Sequence, residues 1–405
     1  MRLLHTSDWH LGCKLYDRPR INEHQQFLEW LLELIKEQNI DVLLLAGDVF
    51  DSSVPSARGM DMYYHFLFQF YQETTASAVI IAGNHDSAMR LAAPREFLKI
   101  ARIHLVGSMP SEASQYVIPI TKYGDEIVVV ALPYLPEGEI LTHVSFEKEV
   151  ESARRYREAI RTLYQESLQA IPHRIPKILM GHYFIAGGQI GDMERTIQVG
   201  GSLPLTREDL PAEASYVALG NLHRPQRFQQ DGCPIVYSGS PIPLTFKEAE
   251  YDKKVFMIDL KSNKRIEVHE IGVPIFRPLV RVKGTFAEIM TVAEVEQWEG
   301  KLIEVTIDVD TPRIGISDQI RKAFSDQGGE VASVRTELIR QQDEIDLSAE
   351  DVTSQSPEDI FKHFYFERYS EPIDGESQAI FESYQKTFND LMTLWHKKQV
   401  HEEAE

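Results

Sequence analysis

A layered α/β core carrying a smaller α+β module is the fold the sequence predicts, and three features point to it. Short apolar runs recur near residues 3–6, 41–46, 78–82, 103–106, 127–131, 177–180 and 216–219, lengths that suit buried strands. Between the early runs lie helical patterns, as in EHQQFLEWLLELIKEQ (23–38), with apolar residues at helical spacing. Strands alternating with helices call for a sheet covered by those helices. At 405 residues the chain exceeds what one hydrophobic core supports, so two or three domains are expected.

Taken in order, the strand and helix signals of the first 230 residues build the α/β core. From about 234 to 271 the pattern turns β-rich around SGSPIP, which fits a second sheet of the same layered domain. Two prolines in GVPIFRP (272–278) mark a break. Residues 279–340 then read strand, helix, strand, helix, strand, enough for a small α+β domain. The stretch QQDEIDLSAEDVTSQ (341–355) is polar and acidic, as a linker would be. After it, Ser356 is placed as an N-cap, Pro357 at the first helical position and Asp359 as a capping-box acid. A following helix, about 376 to 398, spaces Phe381, Tyr384, Phe388, Leu391 and Trp395 by threes and fours, a seam for another helix. The seam serves either the pair itself or a separate protein, and the acidic linker favours a detached, partner-binding pair. The expected division is therefore 1–275, 276–340, a linker at 341–355 and a helix pair at 356–400. There is no internal repeat.

Composition narrows the class. With 43% hydrophobic and 26% charged residues, the chain is an ordinary globular protein. No apolar run approaches the ~20 residues that span a bilayer, and the start MRLLHTSDWHLG lacks a signal-peptide pattern. Cys13 and Cys233 stand far apart without a CxxC partner, so they read as free thiols of a cytoplasmic protein. The net charge of -20 argues against a strong nucleic-acid binder at first sight. Its distribution softens that: residues 281–405 hold 13 basic against 27 acidic side chains, residues 1–280 hold 29 against 35. No GxxxxGK[ST] occurs, so no P-loop for ATP is expected.

The chemistry is concentrated in five segments that share one grammar, an apolar strand followed by a turn with metal-capable side chains. They are LLHTSDWH with Asp8 and His10; VLLLAGDVFD with Asp48 and Asp51; VIIAGNHD with Asn84, His85 and Asp86; ILMGHYF with His182; and VALGNLH with Asn221 and His223. In α/β sheets, ligands bind beyond the carboxyl ends of the strands, so these turns are expected to converge on one crevice. Glycines 47, 83, 181 and 220 each precede the polar residue, allowing a sharp turn and close approach. One such turn alone is ordinary; five point to a mixed N/O site for two cations. Imidazole, carboxylate and amide oxygen suit manganese or iron better than a thiolate metal. The remaining histidines, including His5 and His24, lack this context.

At these residues the chain resembles the calcineurin-like metallophosphoesterases, whose motifs are DxH, GDxxD, GNHD, GH and GHxH. HTSDWHLG, LAGDVFD, AGNHDS and YSGSPIPLTF (237–246) narrow the resemblance to the SbcD family, bacterial counterparts of the Mre-type nucleases. It runs from residue 1 to about 395. The resemblance implies a β-sandwich with helices outside, a small α+β capping domain and a C-terminal helix pair. It implies two Mn²⁺ ions, with Mg²⁺ or Fe²⁺ as alternatives. Asp8, His10, Asp48 and His223 would hold the first, and Asp48 would bridge to a second completed by Asn84, His182 and residue 221. His85 would be the proton donor with Asp86 orienting it, while Asp51 is either an outer-shell group or a cap for the next helix. Also implied are cleavage of double-stranded DNA ends and hairpins, an SbcC-like SMC-type ATPase that binds the helix pair, a homodimer within a heterotetramer, and a nucleoid-associated cytoplasmic setting.

One position departs from the family. GHxH asks for His at 221, and this chain has Asn. The amide oxygen lies about as far from Cβ as the Nδ1 of histidine and well short of Nε2. A family histidine binding through Nδ1 would be replaced by a weaker oxygen ligand; one binding through Nε2 would leave the second cation short of a ligand. Three readings stay open: a natural variant with a weakened second site, an engineered substitution, or a natural protein that has lost activity. Two further rivals are a phosphoesterase for protein, nucleotide or lipid phosphate and a non-catalytic anchor for the ATPase.

Overall fold

Burial on both faces explains why the apolar runs become strands. In the computed structural model, VLLLA forms the strand Val42–Ala46 with all five residues buried, as are those of Tyr216–Gly220, and in Ser77–Ile81 four of five are. The structure describes residues 1–109, 115–136, 138–139, 152–169, 171–189, 204–230, 232–261, 265–309 and 315–338, and parts of 361–392. They fall in two compact units, Met1–Leu338 and Ile339–Glu405.

The first unit contains two six-stranded sheets. One runs in the order Ile266–Gly272, Lys254–Leu260, Arg2–Thr6, Val42–Ala46, Ser77–Ile81, Ile103–Val106; its last four strands are mutually parallel. The other runs Gln226–Gln230, Cys233–Tyr237, Tyr216–Gly220, Lys177–His182, Asp125–Ala131, Val117–Lys122, with a parallel centre and antiparallel edges. Strand alternation divides the core. Leu3, Val42, Leu44, Val79 and Ile81 share one cluster with Leu179 and Ala218 of the second sheet. Leu4, Leu43, Leu45, Ala78 and Ile80 belong instead to the cluster built with Leu31, Phe66 and Phe70 of the helices Ile21–Glu37 and Ala57–Glu73. Helix Ser152–Gln169 is fixed to the second sheet by Tyr164, whose hydroxyl donates to the Met180 carbonyl at 2.8 Å. The architecture is thus the layered α/β sandwich with outer helices.

Two details differ from the sequence reading. The β-rich stretch after 234 divides between the sheets: Cys233–Tyr237 joins the second, while Lys254–Leu260 pairs antiparallel with Arg2–Thr6 in the first. The polar edge strand Gln226–Gln230 and the short hairpin Lys14–Leu15/Arg18–Pro19 carry no apolar run, so hydrophobic patterning does not reveal them.

Residues 279–338 give the strand–helix order expected, as a three-stranded parallel sheet with helices Phe286–Val295 and Ile316–Asp326. Trp298, Ile303, Val305, Ile320 and Phe324 form a core of its own. Ionic contacts tie it to the larger part: Arg281 donates to Glu250 at 2.7 Å, and Arg18 to Glu330 at 2.6 Å. In the second unit, Phe388 stacks on Phe361 at 4.6 Å, and Phe381 lies 4.9 Å from Tyr365 between ring centroids. The described part of the aromatic seam is therefore shared within the pair, with Tyr384 57% exposed. Leu391, Trp395, the 341–355 linker and the Ser356 cap lie outside the described residues. Among the described residues, no helix is long and apolar enough to cross a membrane.

Candidate metal centre

The five turns meet at one rim. Asp8 and His10 follow the strand Arg2–Thr6, Asp48 follows Val42–Ala46, and Asn84 and His85 follow Ser77–Ile81. His182 ends the strand Lys177–His182, and Asn221 and His223 follow Tyr216–Gly220, so both sheets contribute. The backbone at this rim is bent hard. Asp8, His10, Asp48 and Asn221 have φ of 52°, 46°, 50° and 89°, a left-handed region that non-glycine residues enter at a cost. Two glycines permit the approach. A Cβ at Gly83 would sit 2.1 Å from Asp48 Oδ1, and one at Gly220 would sit 1.9 Å from the Ala46 carbonyl oxygen.

Asp8, His10 and His223 can converge ligand atoms on one point, and so can Asp8, Asp48 and His182. Asp48 Oδ2 lies 3.5 Å from His10 Nε2 and 3.4 Å from His182 Nε2, between the two groups. His182 is set by its Nδ1 on the Ala46 carbonyl at 2.9 Å, and its Nε2 lies 2.9 Å from Asn84 Oδ1. Because a carbonyl only accepts, Nδ1 carries a proton, and Nε2 is the atom left to a cation once it gives up its own. Among the described residues, both ring nitrogens of His10 are buried without a hydrogen-bond partner. Such orphaned nitrogens are costly unless something binds them, and with imidazole, carboxylate and amide oxygen beside them the donor set fits a pair of divalent cations.

Charge at the rim is balanced within it. Burial works against ionising Asp48, yet His182 and His10 hold its carboxyl well below the ordinary carboxylate value. Burial likewise opposes a charged His182, and the Asp48 carboxylate outweighs it, raising the imidazole to about 9. Asp8 is pushed up by burial.

His85 is half-buried and stands against the His10 ring at 4.8 Å. Its Nδ1 donates to the Asp51 carbonyl at 2.9 Å, and its backbone N–H donates to Asp48 Oδ1 at 2.9 Å. This corrects the expectation that Asp86 orients His85. The Asp86 carboxylate is occupied by the backbone N–H groups of Val49, Phe50 and Gly83 at 3.1, 2.9 and 2.9 Å. It braces two turns against each other, and burial with the nearby Asp48 raises it to about 6. Nor does Asp51 cap the next helix. Ser56 does so, accepting from the Gly59 N–H at 3.1 Å, while Asp51 Oδ1 lies 3.5 Å from His10 Nδ1.

The Asn221 backbone N–H donates to Asp8 Oδ1 at 2.9 Å, so residue 221 positions a neighbour whatever its side chain. Its φ of 89° is one that asparagine adopts more readily than most residues. His5 and His24 are ordinary buried histidines, bonded to the Tyr216 hydroxyl and the Trp9 carbonyl and lowered to about 3 by burial.

Sequence reasoning missed a layer behind the ligands. Ser7 donates to Asp8 Oδ2 and lies 2.8 Å from Ser238 Oγ. Glu248 Oε1 lies 3.2 Å from His223 Nδ1. Burial opposes the Glu248 charge, but Lys253 and His223 hold the carboxyl well below its usual value. The one signal of this layer in the sequence is YSGSPIPLTF, which carries Ser238 and Ser240 but not the acid they serve.

Family profiles and sequence relatives give the same class. A family profile described as Calcineurin-like phosphoesterase matches residues 1–208, and one described as Type 5 capsule protein repressor C-terminal domain matches residues 275–369. The chain is 33% identical over 392 residues to the SbcD component of nuclease SbcCD from Bacillus subtilis, covering 94% of this chain and 96% of that one. It is 34% identical over 304 residues to the Escherichia coli K12 protein of the same name, covering 74% of each. Among solved structures, a dimetal phosphatase from Danio rerio matches 68% of this chain and 96% of its own at 12% identity, with a TM-score of 0.40.

Proposed function

Since the chain belongs to the SbcD family of calcineurin-like phosphoesterases, we propose that it is the nuclease subunit of an SbcCD-type complex and hydrolyses DNA phosphodiester bonds with two manganese ions. The observation that carries this reading is Asp48, whose one carboxylate oxygen lies within 3.5 Å of both His10 and His182. Asp8, His10, Asp48 and His223 hold one cation; Asp48, Asn84, His182 and Asn221 hold the other. A bound pair would supply Lewis-acid polarisation of the phosphoryl oxygens. His85 gives a proton to the leaving oxygen: its Nδ1 is committed to the Asp51 carbonyl, so Nε2 is the nitrogen that carries that proton. Asp86 keeps the GD and GNHD turns in register, and His85 is carried on the second of them.

The substrates in this reading are double-stranded DNA ends, degraded three-prime to five-prime, and hairpins. The acidity of the chain suits a nuclease whose DNA grip comes largely from its cations and an SbcC-like ATPase. Cleavage of blunt duplex and hairpin DNA at millimolar manganese, with the ATPase present, tests it. Release of phosphate from a phosphoprotein with DNA untouched would favour the non-nuclease rival. DNA cleavage gained only on Asn221→His would favour the inactivated reading.

Two surfaces support the assembly. Phe68 and Phe97 are 60% and 76% exposed and line an apolar groove with Tyr64, Tyr71 and Ile100, a face suited to a second copy of the chain. The helix pair, closed on itself by Phe381 and Phe388, docks as a unit on the ATPase coiled coil with Tyr384 outward. Sedimentation tests both. The full chain is expected as a dimer that joins the ATPase, and a chain ending at Gln342 as a dimer that does not. A monomeric full chain, or a truncated chain that still joins, contradicts the respective surface.

A further inference from the structure

The stretch from Ser238 to Lys253 has a role that the cation ligands alone leave unexplained. It holds a buried ion pair: Glu248 and Lys253 are 4% and 5% exposed, with Lys253 Nζ 2.7 Å from Glu248 Oε2. A buried pair of charges is seldom worth its desolvation for stability alone. The way this one is satisfied is informative. Glu248 Oε2 also accepts from Ser240 Oγ at 3.1 Å and the Leu244 N–H at 3.2 Å, while Oε1 is turned toward His223 Nδ1. Lys253 donates to Ser240 Oγ at 2.7 Å and to the His223 carbonyl at 3.2 Å. The network therefore closes on His223 twice, at its ring and at its backbone. Gly239 lets the turn pass there: a Cβ would lie 2.5 Å from the His223 carbonyl oxygen, which also accepts from the Ser240 N–H at 3.1 Å.

We propose that Glu248, framed by Lys253 and Ser240, is the positioning residue that fixes the tautomer and ring orientation of His223 for the first cation; this rests on the two-cation reading of the site. An ionised carboxylate only accepts, so Nδ1 carries the proton and Nε2 is the atom that His223 offers beside Asp8 and His10. A carboxylate behind a ligating imidazole both holds the ring and strengthens it as a donor. The same stretch braces the other ligand of that cluster, since Ser238 touches Ser7, which donates to Asp8. Glu248 also sits on the one-turn helix Lys247–Glu250, whose Glu250 is gripped by Arg281, so the support of His223 is anchored to the 279–338 module.

The test is manganese binding by calorimetry on the full chain and on Glu248→Gln, with the optical spectrum of the cobalt-substituted proteins as a second readout. Glutamine keeps the volume and removes the charge behind His223. One of two sites should weaken roughly 10–100-fold and change its cobalt spectrum, with the other site unaltered. Both affinities and spectra equal to the parent's, with only a lowered melting temperature, would make the network a fold clamp and overturn the proposal. If Glu248→Gln does not fold, Glu248→Asp retains the charge beside Lys253 and withdraws it from His223, and the same loss is expected. Parent-like binding in that variant, or unfolding of both variants, likewise overturns it. A parent that takes up fewer than two cations would instead overturn the two-cation reading beneath it.

Discussion

The two halves of the proposed cation centre are built to different standards. Asp8, His10 and His223 are each at most 3% exposed as residues, Asp8 accepts from Ser7 and from the Asn221 backbone, and His223 is backed by Glu248. Around Asn84, His182 and Asn221 the supports are lighter. His182 rests on the Ala46 carbonyl, Asn84 and Asn221 are only half-buried, and the proposed donor set there includes their two neutral amides. A cluster with charged, braced donors should fill at lower metal concentration than one that depends on amide oxygens. The lesson is that position 221 is better judged against its neighbours than against a motif. In the proposed ligand sets the missing imidazole falls on the half of the site that already has less holding it.

The comparison can be broken most severely at the residue the halves share. Asp48→Ala should abolish manganese-dependent hydrolysis of bis-nitrophenyl phosphate; substantial remaining activity would remove the two-cation mechanism. Next comes a residue outside both halves. His85→Gln should slow DNA cleavage by roughly 10²–10⁴-fold while both manganese ions still bind. Loss of a bound ion in that variant would make His85 a ligand. A smaller effect sharpens the contrast: Asn221→His should raise activity roughly 10–100-fold at limiting manganese, with the gap narrowing at saturation if the amide ligates. Because φ at 221 favours asparagine, the same change should lower stability by about 1 kcal/mol in a denaturant titration. A further effect is on pH. His182 stays protonated up to about 9 beside Asp48, and a cation needs it neutral. Apparent manganese affinity should therefore rise with pH between 7 and 9, by at most about tenfold per unit, and a flat profile would take His182 out of the ligand set.

Much of this site could be read from the chain because each turn has a local cause. A buried strand must end, a glycine lets it bend, and the next polar residue is delivered to the rim. That logic located Asp8, His10, Asp48, Asn84, His85, His182, Asn221 and His223 from five separate segments. It failed where an atom's partner is chosen by tertiary contact. Asp86 adjoins His85 in sequence, yet its carboxylate is claimed by three backbone N–H groups and His85 turns to the Asp51 carbonyl. Glu248 reaches His223 from 25 positions away, on a one-turn helix with no apolar periodicity to announce it. The fold shows the same division: buried strands were legible, while the polar edge strand Gln226–Gln230 was not.

The inequality of the halves can be read from a manganese titration of the unaltered chain, with ions counted by calorimetry and spin coupling followed by electron paramagnetic resonance. Two ions per chain should enter in two resolved steps, the second weaker, with the coupled-pair signal appearing only in that second step. Asn221→His should draw the two steps together. A single step with two equal affinities, unchanged in Asn221→His, would contradict that inequality.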